Sequence, residues 1–272
     1  MRSPKELQLD AKIIEAVEAL KLSGKALRAA RAILQDEEVQ ALQEYANTVS
    51  IVRLLYNDHG PVHMRTVAYN TIIMMGLLRS AGIKTSLETE ECGDFEDSLA
   101  ALILASILHD IGMSVSRQEH EVHSEILALP YLERFLGAAY RNDLRKRVML
   151  KSLATECIFG HMGNRIIHSL EAGVILVADG CDMTKGRARI PMALSEGSAR
   201  VGDIHKISAN SIEEVRIMTG AEKPIRIDVL MSNDVGLFQV EEVLLGKIAA
   251  STIKSYIELY AQVNHDEKRR YL

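Results

Sequence analysis

Nine histidines are spread along the chain, and several stand where their chemistry can matter. His109 and Asp110 sit side by side at the end of the apolar run LAALILASIL. His161 follows the apolar Ile158-Phe159-Gly160, and Asp179 ends the run Val174-Ile175-Leu176-Val177-Ala178. His63 opens a helical stretch directly after a turn. His120 and His123 are three residues apart, so on a helix they share a face. Each has an ordinary explanation taken singly, as a helix start, a cap, or a solvated residue beside Glu119 and Glu121. Their repetition is harder to explain that way. Burying a carboxylate and an imidazole is costly unless they are paired or bound to a metal. Apolar helices that each end in a His or Asp are how helical bundles build metal sites, with ligands projecting inward from several helices.

The elements that must position these residues are mostly helical. The run from Leu99 to Leu108 is apolar except for Ser106. It falls short of the roughly 20 apolar residues of a bilayer span, and no other window is long enough. It reads as a buried helix closed by Gly112, in the manner of a glycine just past a last turn. Residues 5–55 carry Ile14, Val17, Leu27, Ala30, Leu34, Leu42, Tyr45 and Val49 at helical spacing. They predict helices that pack on the core, with a homodimer contact as a sharper alternative. Asn57 to Pro61 is a turn, and further helices are expected over 62–78, 117–135, 140–159 and 169–179. Lys185-Gly186-Arg187-Ala188-Arg189, with Pro191 beyond, reads as a loop. After residue 205 the period changes. Val215 and Ile217, then Ile225, Ile227, Val229 and Met231, alternate with polar neighbours as strands do. Phe238 and Val240 suggest a third strand, and Ile253 with Ile257 a closing helix. The expected architecture is mainly α with a small C-terminal α+β appendage. N-terminal helices fill 1–54, a helical domain 55–195, and an α+β subdomain with a β-hairpin 196–272.

Composition narrows the function. The chain has 272 residues, 47% of them hydrophobic but only 4% aromatic, with no Trp, so the core must be aliphatic. A formal net charge of −5 provides no basic excess to neutralise phosphates along duplex nucleic acid. The N-terminus lacks the apolar segment of a signal peptide, so neither a membrane partner nor export is expected. Cys92, Cys157 and Cys181 are far apart and form no CxxC, which argues against disulfides and thiolate zinc and fits a cytoplasmic protein.

The order His63, His109-Asp110, Asp179 resembles the H…HD…D signature of the HD-domain metal-dependent phosphohydrolases. HDIG at 109–112, the stretch His120-Glu121-Val122-His123-Ser124, and VADGCDMTKGR at 177–187 are similar to stretches of the same superfamily, in its prokaryotic group. The chain departs from the cyclic-dinucleotide phosphodiesterase subgroup, carrying neither a GYP triplet nor an adjacent His-His pair. The resemblance implies an HD-domain helical bundle. It implies that His63, His109, Asp110 and Asp179 hold a first metal, that His120 and His161 add a second, and that Asp110 bridges the two.

Such a ligand set suits Mn, Fe, Zn or Ni, one or two ions per chain, without choosing among them. A bound metal lowers the pKa of its water to about 7 in favourable cases, and the resulting hydroxide attacks phosphorus. The implied activity is a phosphomonoesterase or phosphodiesterase acting on a nucleotide or another small phosphorylated metabolite. A regulatory module that keeps the fold without turnover is the alternative. Lys185, Arg187 and Arg189 are candidates to meet the substrate phosphate. Asp182 is a candidate acceptor orienting a ligand histidine. His59, His168, His205 and His265-Asp266 have no evident role in this scheme.

Overall fold

The computed structural model describes residues 2–54, 56–185 and 203–272. The helices are α1 (Pro4–Ala19), α2 (Lys25–Leu34), α3 (Glu37–Thr48), α4 (Pro61–Ser80), α5 (Ser86–Thr89), α6 (Phe95–Leu108), α7 (His120–Ala139), α8 (Leu144–Gly160) and α9 (Leu170–Gly180). After the undescribed stretch come α10 (Asp203–Asn210) and α11 (Leu245–Ala250). Side-chain caps start many of them. Ser3 and Glu6 form a reciprocal capping box on α1, Asp94 and Asp97 do so on α6, and Asp143 and Ser169 cap α8 and α9.

α6 is the axis of the bundle. Every residue from Phe95 to Leu108 is buried, and α2, α4 and α8 pack around it. The helix shows no polar face because it has no solvent face. With the 3-10 turn Ile111–Ser114 that follows, Phe95–Ser114 is long and apolar enough to cross a membrane, contrary to the expectation that no window is. It is 94% buried inside the protein. α4 is tied to its neighbours by Arg65, which is 2% exposed. Its Nε donates to Asp10 Oδ1 (2.7 Å) and its Nη1 to Gln43 Oε1 (3.0 Å). Gln43 Nε2 in turn donates to the Ile107 carbonyl (2.7 Å). This paired network fixes α1, α3, α4 and the end of α6 relative to one another.

Among the described residues the C-terminal part forms one four-stranded sheet, β1 (Ile212–Thr219), β2 (Ile225–Met231), β3 (Ile257–Val263) and β4 (Arg269–Arg270), in the order β1-β2-β3-β4. β1 and β2 are an antiparallel hairpin, β2 and β3 are parallel, and β3 and β4 antiparallel. Two expectations are corrected here. Phe238 and Val240 are not a strand: a π-helical turn covers Gln239–Leu244 and runs into α11. Val240, Leu244 and Ile248 are all buried, which is helical spacing. Ile257 does not close a helix but starts β3, in which Ile257, Leu259 and Ala261 are buried apolar residues two apart. The parallel pairing of β2 with β3 needs such a helical crossover. Ile212, Ile227 and Leu259 belong to the same continuous core as Leu102 and Val174. The sheet is therefore packed into the body, against α4.

Candidate metal centre

Five helix ends meet at one place. His63 lies in the first turn of α4, where Pro61 occupies the first helical position and has no N–H to leave unpaired. His109 caps the C-terminus of α6 and Asp110 follows it. His120 is the first residue of α7, His161 caps the C-terminus of α8, and Asp179 lies in the last turn of α9. All six are buried.

Gly112 makes this convergence sterically feasible, though not as expected. It does not end α6 in a left-handed conformation; α6 ends before it, and Gly112 lies in the 3-10 turn. A Cβ there would fall 2.1 Å from the His120 carbonyl oxygen and 2.4 Å from the Ser124 backbone nitrogen. The Gly112 N–H donates to Ser124 Oγ at 2.8 Å. A bare backbone at 112 thus lets the turn carrying Asp110 dock on the start of α7.

Asp110 divides its two oxygens. Oδ2 lies 3.1 Å from His63 Nε2 and 3.4 Å from His109 Nε2, while Oδ1 lies 3.1 Å from His120 Nε2 and 3.3 Å from His161 Nε2. Asp179 Oδ1 lies 3.2 Å from His63 Nε2 and 3.9 Å from His109 Nε2. The imidazoles also meet nitrogen to nitrogen, His63 Nε2 with His109 Nε2 at 3.2 Å and His120 Nε2 with His161 Nε2 at 3.1 Å.

The outer nitrogens say where the protons are. His109 Nδ1 faces the Ser106 carbonyl at 2.8 Å, His161 Nδ1 the Ile158 carbonyl at 2.6 Å, and His63 Nδ1 the Asp182 carboxylate at 2.7 Å. Each of these partners accepts only, so Nδ1 carries the hydrogen and the lone pair is on Nε2. His120 Nδ1 meets both the Arg117 carbonyl (3.1 Å) and Arg117 Nη1 (3.0 Å). On His63, His109 and His161 the nitrogens facing the centre are therefore lone-pair acceptors, set among the carboxylate oxygens of Asp110 and Asp179. Lone pairs in that arrangement repel unless a cation lies among them, and mixed imidazole and carboxylate donors are a divalent transition-metal set. His63, His109 and Asp110 form one group able to hold an ion, and Asp110, His120 and His161 another; His109, His161 and Asp179 form a third overlapping set.

The local electrostatics agree. Burial alone would raise the Asp110 carboxyl, but His109, His120 and His161 hold it well below the ordinary carboxylate range. Asp179 also stays ionised against burial, through Lys247 first and then His63 and His109. Burial is the main cause that brings His161 down to about 4, so it is neutral, as a ligand must be. The two thiols in the helical core, Cys157 and Cys181, are held as thiols rather than thiolates, because burial pushes both far above the ordinary thiol value.

The centre opens into a cavity of about 470 Å³ whose lining includes Asp110, His120, His161, Asp179, Arg117 and Lys247. Against known proteins, the chain is 42% identical over 235 residues to an uncharacterized protein of Methanocaldococcus jannaschii, covering 86% of this chain and 88% of the relative. The chain belongs to that protein's family. No family model matches it, and no solved structure does.

In this member of the family, one predicted site residue, Lys185, lies elsewhere than the sequence suggests. Lys185 is not at the cavity; it is exposed, and its Nζ pairs with Glu213 Oε2 on β1 at 2.6 Å. Arg187 and Arg189 lie outside the described residues. Asp182 lines the cavity and, as given above, meets His63. His123 is half-buried on α7 and takes no part in the clusters. His59, read only as a turn residue, lines the cavity with its Nδ1 held at 2.6 Å from the Asn57 carbonyl. His205 also lines it, its ring edge-on to Phe238. The cations at the cavity are Arg117 and Lys247 among the described residues. Neither was singled out from the sequence: Lys247 is far from every motif, and Arg117, though between HDIG and the His120 stretch, is one basic residue in a polar connection.

Proposed function

We propose that this chain is a metal-dependent phosphohydrolase of the HD-domain superfamily, acting on a nucleotide or another small phosphorylated metabolite. The observation that carries the reading is the convergence of imidazole lone pairs and carboxylate oxygens on two adjacent groups that share Asp110. The order of the ligands along the chain, His63, His109-Asp110, Asp179, supports the superfamily assignment, with His120 and His161 as the second set.

A divalent transition metal bound there supplies a Lewis acid for phosphoryl oxygens and lowers the pKa of water to about 7 in favourable cases. The protein's own residues do the rest. Asp182 and the carbonyls of Ser106 and Ile158 lock the ring orientation of His63, His109 and His161. Asp110 presents one oxygen to each group and so fixes their separation. The cavity is of a size that admits a small molecule rather than a folded polymer. Arg117 and Lys247 set positive charge against an anionic substrate, while Cys157 and Cys181 are unsuited to covalent catalysis.

The test is a screen for phosphate release over nucleotides and small phosphorylated metabolites, with metal-supplemented wild type beside Asp110→Ala. Release by the wild type that Asp110→Ala and excess chelator both abolish is expected. Metal uptake without release from any compound would favour a regulatory module and count against the enzyme reading.

A further inference from the structure

Lys247 reaches the centre from the C-terminal segment. It lies on α11, which packs on α9, and its Nζ contacts Asp179 Oδ2 and donates to the His161 carbonyl at 2.9 Å. Its side chain is 12% exposed. The path to the site is built into the backbone. A Cβ on Gly180 would lie 3.1 Å from Lys247 Cδ and 3.2 Å from Leu244 Cδ1, so a side chain at 180 would crowd the lysine stem.

Three features of this placement bear on ligand binding. Asp179 uses Oδ1 toward His63 and His109 and Oδ2 toward Lys247, so the lysine leaves the inward-facing oxygen in place. An ammonium has three N–H donors; two are used by Asp179 and His161, and the third has no partner among the described residues. Lys247 also lines the cavity. A cation this close to a divalent ion is repelled unless an anion lies between them; Asp179 is one such anion.

We propose that Lys247 is a phosphate-binding residue, and that its remaining N–H is donated to a phosphoryl oxygen of the substrate. This inference rests on the phosphohydrolase reading above. It makes the C-terminal segment part of the binding site and places the phosphate on the side of the cavity walled by Asp179 and His161. A charge-assisted contact of this kind to a compact ammonium needs no fork geometry.

The experiment compares wild type, Lys247→Met and Lys247→Arg, each loaded with the same metal. Metal content is measured by elemental analysis, and binding of inorganic phosphate by calorimetry. Lys247→Met is expected to keep the wild-type metal content and fold while binding phosphate roughly 10-fold or more weakly, with Lys247→Arg recovering part of the loss. In turnover the loss should appear in kcat/KM. Unchanged phosphate binding by Lys247→Met would overturn the proposal. So would loss of metal from Lys247→Met together with Lys247→Arg, because the lysine would then serve to hold Asp179. If metal-loaded wild type itself bound no phosphate, the phosphohydrolase reading would fail first, and this inference with it.

Discussion

His63 Nδ1 and Asp182 Oδ2 lie 2.7 Å apart, both buried. The contact fixes the orientation of the imidazole ring and leaves the electron pair on Nε2, which faces Asp110, Asp179 and His109. Carboxylate partners of this type also raise the basicity of a ligand histidine. Asp182→Asn should therefore lower metal affinity about 10- to 100-fold while leaving the fold intact, as titration with a metal indicator and circular dichroism would show. Unchanged affinity would mean that His63 is held by its packing alone.

The division of Asp110 between two histidine pairs predicts two ions. His120→Ala should reduce the metal content by one ion per chain without emptying the site, since His63, His109 and Asp179 do not depend on it. His123→Ala, one turn along the same helix and outside the clusters, should leave the content unchanged. Equal metal content in wild type and His120→Ala would reduce the site to one ion.

Gly112→Ala tests the docking of the Asp110 turn on α7. The added methyl would meet backbone atoms of His120 and Ser124, which cannot swing away as a side chain can. A cost of about 1–3 kcal/mol is expected from overpacking. α7 must shift, so the His120 side of the site should lose metal before the His63 side. Wild-type stability measured by urea denaturation would contradict the steric reading.

Arg65→Ala should cost about 1–3 kcal/mol, the range for leaving a buried polar group unsatisfied, because it strands the buried Gln43 Oε1 and opens the link from α3 to α4, while Asp10 keeps its pair with Arg2. Chemical denaturation measures it directly, and a loss within a few tenths of a kcal/mol would show the network to be dispensable.

Much of the centre was legible in the sequence because His109-Asp110, His161 and Asp179 end apolar helical runs, a pattern that needs no knowledge of the tertiary structure. His63 and His120 instead stand at helix starts and were legible from their order among the other ligands. The β1–β2 hairpin was legible for the same kind of reason, since Ile225, Ile227, Val229 and Met231 alternate. Ambiguity arose where two periods fit the same residues. Phe238 and Val240 suit a strand, but Val240, Leu244 and Ile248 suit a helix, and only packing against α9 decides between them. Ile253 and Ile257 are four apart, yet the second belongs to a strand whose partner β2 is distant in sequence. Lys247 could not be found from sequence at all: it sits 68 residues beyond Asp179, on the crossover helix whose existence was itself misread. Proximity alone recommended Lys185, and its pairing with Glu213 shows how little proximity in sequence decides.

Acid should unfold the protein partly through Asp97. Its buried side chain lies 2.5 Å from Lys146 Nζ and 3.3 Å from Lys25 Nζ. Burial alone would raise this carboxyl, but Lys146, the Asp94 backbone and Tyr140 together hold it below its ordinary value of 3.8. The folded state thus binds the proton less tightly than the unfolded chain. The stability Asp97 contributes is complete above the unfolded value and is lost as pH falls through the lower folded value. Asp97→Asn should lower the melting temperature at neutral pH and flatten its decline below about pH 4. Parallel wild-type and variant curves would remove Asp97 from the acid transition.

The most direct test of the central claim is anomalous X-ray diffraction from crystals of the chain grown with manganese and without chelator. The account predicts one anomalous peak within ligand distance, about 2.0–2.3 Å, of His63, His109, Asp110 and Asp179, and a second against His120 and His161 that shares Asp110. A map with no anomalous peak among these six residues, from crystals whose elemental analysis shows metal in the solution, would contradict it.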